Sequence, residues 1–349
     1  MIARVAARRP QTRFVLPHGL GATLPPERRG LARDGVRLLV AAPTGVSHRR
    51  FADLLQLLEA GDLVVVNTSA TLPAALTARG GDGREVLVHV SGWLDDSAWI
   101  VEVRRRDNDG PDLRVTTHDI LHLSGGVTLT VAGAHPDPAA AVSRLWRAAV
   151  TPPTELAAHL AEHGRPIVYN HLAGSVPLAD FQTVYADQPG SAEMVSAGRP
   201  FTTELLARLE AAGVTVAPLT LHAGVSSPEV GEPPAPERYW VPETTARLVS
   251  GTRDAGRRVV AIGTTVVRAL ETVAGDVRGG SGWTDLVLGP ERPAQVVTGL
   301  VTGLHLPESS HLLLLEAVAG PGLVRPAYAS AVEMRYLWHE FGDSMLFLP

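Results

Sequence analysis

The residues best placed to do chemistry gather around Gly263-Thr264-Thr265. The β-branched run Val259 to Ile262 predicts a buried strand, and TTVVRALETVAG from Thr264 predicts a helix. Gly263 at the join permits a backbone angle that other residues avoid. Threonine hydroxyls that can cap the helix, together with its free amides, would then point outward at the strand's C-terminal end. Such a turn suits an anionic or hydroxyl-rich ligand, although ordinary strand-to-helix punctuation reads the same way. Arg268 and Glu271, three apart on the helix, could pair.

Four further positions offer chemistry. His222 in LTLHAG stands at a strand end before a loop, where an imidazole can act as acid or base or serve structurally. His305 in TGLHLPESSH offers the same choice. Asp285 in GWTD and Asp343 in FGDS either cap turns or orient a ligand hydroxyl. His305 and His311 are six apart, which fits no metal-ligand spacing, so no metal is expected. The sequence has no GxSxG, GxxxxGK[ST] or GxGxxG.

These groups need a scaffold. The chain has 349 residues, more than the ~100–200 of one domain. Apolar residues make up 45% and aromatics 5%, so Leu, Val and Ala must fill the core. The absence of Cys removes disulfides, thiolate ligands and a Cys nucleophile together. All 31 basic residues are Arg, and the formal net charge of −5 argues against a whole-molecule electrostatic trap for nucleic acid. The start, MIARVAARRP, lacks the apolar stretch of a signal peptide, and no segment approaches ~18 apolar residues. A cytoplasmic protein without a membrane span is expected, and a monomer.

The pattern along the chain predicts an α/β protein. Strands are expected at 37–40, 63–67, 214–222 and 257–263, and helices at 51–58, 202–212, 242–255 and 264–275. Between about 71 and 135 the pattern shifts to short alternating stretches, EVLVHV, AWIVEV and VTLTV, separated by GGDG, RDNDGPD and LSGG. That predicts a small antiparallel β unit inside the chain. The Ala-rich segment 138–163 reads as helical. Two long irregular stretches, 165–201 and 223–240, are of the kind that carries function. The division is a large barrel-like α/β domain, 1–70 and 150–349, with a smaller inserted β-rich domain, 71–149.

The order and wording of these segments resemble the S-adenosylmethionine:tRNA ribosyltransferase-isomerase family of queuosine synthesis. The matching pieces include FADLLQLLEAGDLVVVNTSATLPA, FQTVYADQPG, LTLHAGV, GRRVVAIGTTVVRALE, VTGLHLPESSHLLLLEAVAG and FGDSMLFL. They run almost end to end, and VAIGTTVVRALE, HLPESS and GDSML are the most specific. The resemblance implies transfer and isomerisation of the ribosyl group of S-adenosylmethionine, the co-substrate, onto a 7-aminomethyl-7-deazaguanine base in tRNA. It implies no metal. Such chemistry needs a base, donors for departing adenine, and contacts to ribose hydroxyls. On that analogy His222, Glu237 and Arg268 are catalytic candidates. Gly263, Thr264, Thr265, Glu271, Ser196, Gly198, Asp285, His305 and Asp343 would bind substrate.

The chain departs from the family pattern at several places. The family's TAGLHF is Ser196 to Phe201 here, without its His. In the stretch matching NDTRVIPAR, two Arg are replaced by Ala70 and Ala75. In the HxMHxE element both His are replaced, by Glu232 and Ala235, and Glu237 is kept. The Lys of TNFHLPKS is replaced by Glu308. Lost basic groups weaken phosphate contacts. Alternatives are therefore a diverged enzyme using S-adenosylmethionine or a related nucleoside with a small acceptor, or a catalytically inactive nucleoside-binding protein.

Overall fold

The computed structural model describes residues 9–140, 143–226, 232–275 and 277–349. A nine-stranded mixed sheet forms the larger part. Its order is Gly280–Thr284, Glu237–Val241, Thr215–Leu221, Leu63–Asn67, Val259–Ile262, Gly299–Gly303, Ser344–Phe347, Arg37–Ala42 and Gly45–Arg50. The four central strands from Thr215–Leu221 to Gly299–Gly303 run parallel. Their carboxyl ends therefore share one edge, where open α/β sheets place their ligands.

Both faces of this sheet are covered, which explains why LVVV is a continuous apolar run rather than an alternating one. Leu63, Val65, Val259, Ala261 and Leu300 pack on one side with the helices Glu243–Asp254, Thr264–Thr272, Ser310–Ala319 and Pro321–Glu333. Val64, Val66, Val260, Ile262 and Val301 face the other side, against Phe51, Leu54, Leu205 and Leu209. The predicted helix at 51–58 is a 3-10 helix, Phe51–Gln56.

The inserted unit is a closed six-stranded antiparallel barrel formed by Ala75–Gly80, Glu85–Asp95, Ala98–Arg104, Ile120–Leu123, Thr128–His135 and Leu145–Thr151. The closed barrel is thus the insertion, while the sheet of the larger part has two ends. The last barrel strand corrects the helix expected over 138–163. Trp146, Ala148 and Val150 are buried and alternate with exposed Arg147, Ala149 and Thr151. That period of two, paired to strands on both sides, overrides the helical propensity of alanine. Among the described residues there, Leu156–His163 alone is α-helical, and its Leu156 and Leu160 join the barrel core. Part of the second irregular stretch, residues 227–231, and most of the N-terminal MIARVAARRP lie outside the described residues. No described helix is long and apolar enough to cross a membrane.

Candidate active site

Three of the four parallel strands deliver polar groups to the shared edge. Asn67 closes one strand and is buried. Its Nδ2 donates to the Leu221 carbonyl at 2.8 Å and to Thr265 Oγ1 at 3.1 Å. Its Oδ1 accepts from the amides of Leu221 and Ser69 at 3.0 and 3.1 Å. One amide side chain thereby ties three strand ends together. Gly263 takes φ +93° at the start of the Thr264–Thr272 helix, and neither threonine caps that helix by side chain. The expected cap is absent because Gly263 itself holds the cap position, and the Thr265 hydroxyl is bound to Asn67.

His222 follows the Thr215–Leu221 strand. Its Nδ1 lies 2.8 Å from Ser69 Oγ, which lies 2.6 Å from Ser191 Oγ. Ser191 Oγ accepts from the Ala223 amide at 2.9 Å. Burial, with a smaller contribution from Arg238, pulls the imidazole down to about 4, so it is neutral at pH 7. Gly190 is required beside it, since a Cβ there would stand 2.3 Å from His222 Nδ1.

Glu237 opens the neighbouring strand. One carboxylate oxygen accepts from the Gly224 amide at 3.0 Å, and the other binds Arg268 Nη1. Burial pushes the carboxyl up, against the pull of Arg268 and of the Gly224 amide. His222 and Glu237 line one cleft of about 360 Å³ between the barrel and the sheet. The same cleft holds Trp93 of the barrel, Trp283 of the edge strand and Arg238 of the strand beside it. The Arg238 guanidinium lies 5.1 Å from the ring centres of both Trp93 and Trp283. Trp283 is 41% exposed, an unusual setting for a tryptophan without a partner to meet.

The other candidate residues have these surroundings in the structure. Arg268 does not reach the cleft. It is 5% exposed, and its other donors go to the carbonyls of Ala235, Thr284 and Leu286. It positions Glu237. Arg268 does not pair with Glu271. The Glu271 carboxylate accepts from the amides of Gln295, Val296 and Val297 at 2.8–2.9 Å, which ties the helix to that loop. Asp285 is exposed beyond the edge strand and lines neither cleft. His305, half-buried, binds Thr302 Oγ1 at 2.9 Å and stacks on His311 at 4.4 Å.

Ser196 and Asp343 line a second cavity, open to solvent, with Arg199 and Glu340. Asp343 there accepts from the Arg37 amide and guanidinium at 2.7–3.0 Å and from the Leu337 amide at 2.8 Å. Gly198 sits where a Cβ would meet Tyr185 Oη at 2.0 Å, a packing need.

The altered family positions have structural partners of their own. Ala75 is buried in the first barrel strand, and Ala70 lies on the short strand Ser69–Thr71. Glu232 pairs with Arg144 at 3.5 Å, and the Ala235 carbonyl receives Arg268. Glu308 pairs with Arg9 and Arg13 at 3.7 and 3.4 Å. Sequence reasoning missed Asn67, Ser69 and Ser191 as site residues, and also Trp93, Arg238 and Trp283. Serines and tryptophans far apart in the chain carry no local signal of convergence.

The comparisons agree with this architecture. A family model described as "Queuosine biosynthesis protein" matches residues 10–347. The S-adenosylmethionine:tRNA ribosyltransferase-isomerase of Thermotoga maritima is 34% identical over 346 residues, covering 96% of this chain and 98% of that one. The protein of the same name from Thermus thermophilus is 36% identical over 345 residues, covering 93% and 97%. The crystal structure of S-adenosylmethionine tRNA ribosyltransferase from Thermotoga maritima matches 97% of this chain and 99% of that one. Its TM-score is 0.53 at 30% identity. With the match spanning both the sheet and the inserted barrel, the chain belongs to the queuosine biosynthesis protein family.

Proposed function

We propose that this chain is an S-adenosylmethionine:tRNA ribosyltransferase-isomerase. It transfers and isomerises the ribosyl group of S-adenosylmethionine onto a 7-aminomethyl-7-deazaguanine base in tRNA, in queuosine biosynthesis. It acts in the cytoplasm as a monomer, with 71–149 as an inserted domain carried by 1–70 and 150–349. One observation carries the assignment of the site: proton-handling groups and an aromatic stack share one cleft. An incoming amine must lose a proton as it bonds to the ribose. Glu237, raised by burial and held by Arg268, is the acceptor. Neutral His222, fixed through Ser69 and Ser191, orients the ribose hydroxyls. The Trp93–Arg238–Trp283 stack holds a planar group between two indoles, and a nucleobase fits the same chemistry. Gly263, Thr264 and Thr265 border the nucleoside at the sheet edge.

A second reading, a small-molecule acceptor, is favoured by the carboxylates Glu232 and Glu308, which pair with Arg144 and with Arg9 and Arg13 and would repel phosphate. Adenine release distinguishes the two. The protein is mixed with S-adenosylmethionine and with tRNA bearing the aminomethyl base, with the free aminomethyl base, or with neither. Release only with tRNA is expected. Release with the free base alone supports the second reading, and no release under any condition defeats both.

A further inference from the structure

His339 and Glu340 line the second cavity, and His171 lies against them; the reaction above uses none of the three. His171 comes from the irregular stretch after the barrel, and His339 and Glu340 come from the turn before the last strand. We propose that His171, His339 and Glu340 form a binding site for one divalent transition-metal ion of the zinc or ferrous type. The inference is independent of the transferase assignment.

The three side chains are close enough to share an ion. Each residue offers one ligating atom, and all three atoms lie within 4.8 Å of one another. Among the described residues this is the one such group. His171 Nε2 lies 2.7 Å from Glu340 Oε2, and the His171 and His339 rings stack at 4.1 Å and 22°. A metal entering there replaces the shared proton between His171 and Glu340 and draws the second imidazole in.

The backbone holds this arrangement at a cost. His339 has φ +73°, a region that residues with a Cβ seldom occupy. The preceding Trp338 is locked by its amide to the Leu20 carbonyl at 2.7 Å and by its carbonyl to the Ala22 amide at 3.0 Å. The following turn closes through the Gly342 amide on the His339 carbonyl at 3.0 Å. A Cβ at Gly21 would come within 3.1 Å of the His339 ring, so the backbone of that segment lies directly against it. These contacts aim His339 and Glu340 together into the cavity that also holds Ser196, Arg199 and Asp343.

The donor types select the ion. The chain has no Cys, so no thiolate competes. Two imidazoles and one carboxylate favour zinc, ferrous or cobaltous ions over magnesium or calcium, which take oxygen ligands. Three protein ligands leave coordination positions facing the cavity, as in sites that bind a substrate or water.

The test uses tag-free full-length protein freed of metal by chelator and titrated with Co²⁺. Visible d–d absorption saturating at one ion per chain is expected, with zinc displacing the cobalt. His339→Asn and Glu340→Gln should each weaken cobalt binding at least tenfold. Circular dichroism and the urea midpoint check that each variant folds. Should His339→Asn fail to fold, Glu340→Gln and His171→Asn give the same readout. No cobalt absorption, or absorption unchanged in folded variants, overturns the site.

Discussion

Arg268 and Glu237 are bound to one another across the space between a buried helix and the second strand of the sheet, and three further donors of the arginine go to carbonyls. The pair is therefore a rigid mount for the carboxylate. Removing the guanidinium leaves three carbonyls and a largely buried carboxylate without their partner. Arg268→Ala should cost about 3 kcal/mol or more in urea denaturation, with loss of adenine release. Arg268→Lys should recover little, because one ammonium cannot match a planar fork with several acceptors. A stable and active Arg268→Ala protein would show that Glu237 is held by something else.

Glu237→Gln keeps the shape and one hydrogen-bonding oxygen but removes the proton acceptor. Turnover should fall about 10²–10⁴-fold, while S-adenosylmethionine binding by calorimetry stays within a few-fold of the parent. Turnover reduced less than tenfold would assign the proton to another group.

The mount of His222 is open to a smaller test. Gly190→Ala puts a methyl group into the space of the imidazole, so the bond to Ser69 must break. kcat should fall at least tenfold. Ser69→Ala, which removes the hydroxyl alone, should lower kcat less. Equal activity of Gly190→Ala and the parent would mean that the position of His222 does not matter.

Trp283 is well exposed, so Trp283→Ala should change stability by no more than about 0.5 kcal/mol. Stacking of a base is worth about 1–3 kcal/mol, so kcat/KM for tRNA should drop roughly tenfold or more with the KM for S-adenosylmethionine unchanged. An unchanged KM for tRNA would remove the stack from the acceptor site.

Buried histidines give a pH signature. Burial, with Arg268 adding to it, brings His311 down to about 4 from an ordinary 6.5. Between those values the unfolded chain binds the proton and the folded chain does not. Stability from this group is therefore complete above pH 6.5 and is lost as pH falls towards 4. The difference in Tm between the parent and His311→Asn should shrink from pH 7 to pH 5. Glu193 and Glu237, raised by burial, act in the opposite direction, and both remain in the variant; His305, stacked on His311 and held low partly by it, changes with it, so the difference reports the His305–His311 pair. A constant difference would show that His311 titrates as if in water.

Local pattern and tertiary structure divided the information between them. The strand 63–67, the helix from Thr264 and the inserted β unit were legible because hydrophobic period and turn residues are properties of neighbours in sequence. The barrel strand Leu145–Thr151 was not, because alanine favours a helix until strands on both sides supply its hydrogen bonds. Gly263 was legible as a special turn, and its φ of +93° is the reason glycine stands there. The roles of its neighbours were settled only by packing. Arg268 and Glu271 are three apart, yet one turns to Glu237 and the other to the 295–297 loop. His171 and Glu340 are separated by 169 positions and meet at 2.7 Å. A linear pattern records which side chains share a face of one element. Which faces meet is decided by burying them all at once, and the site is built where they do.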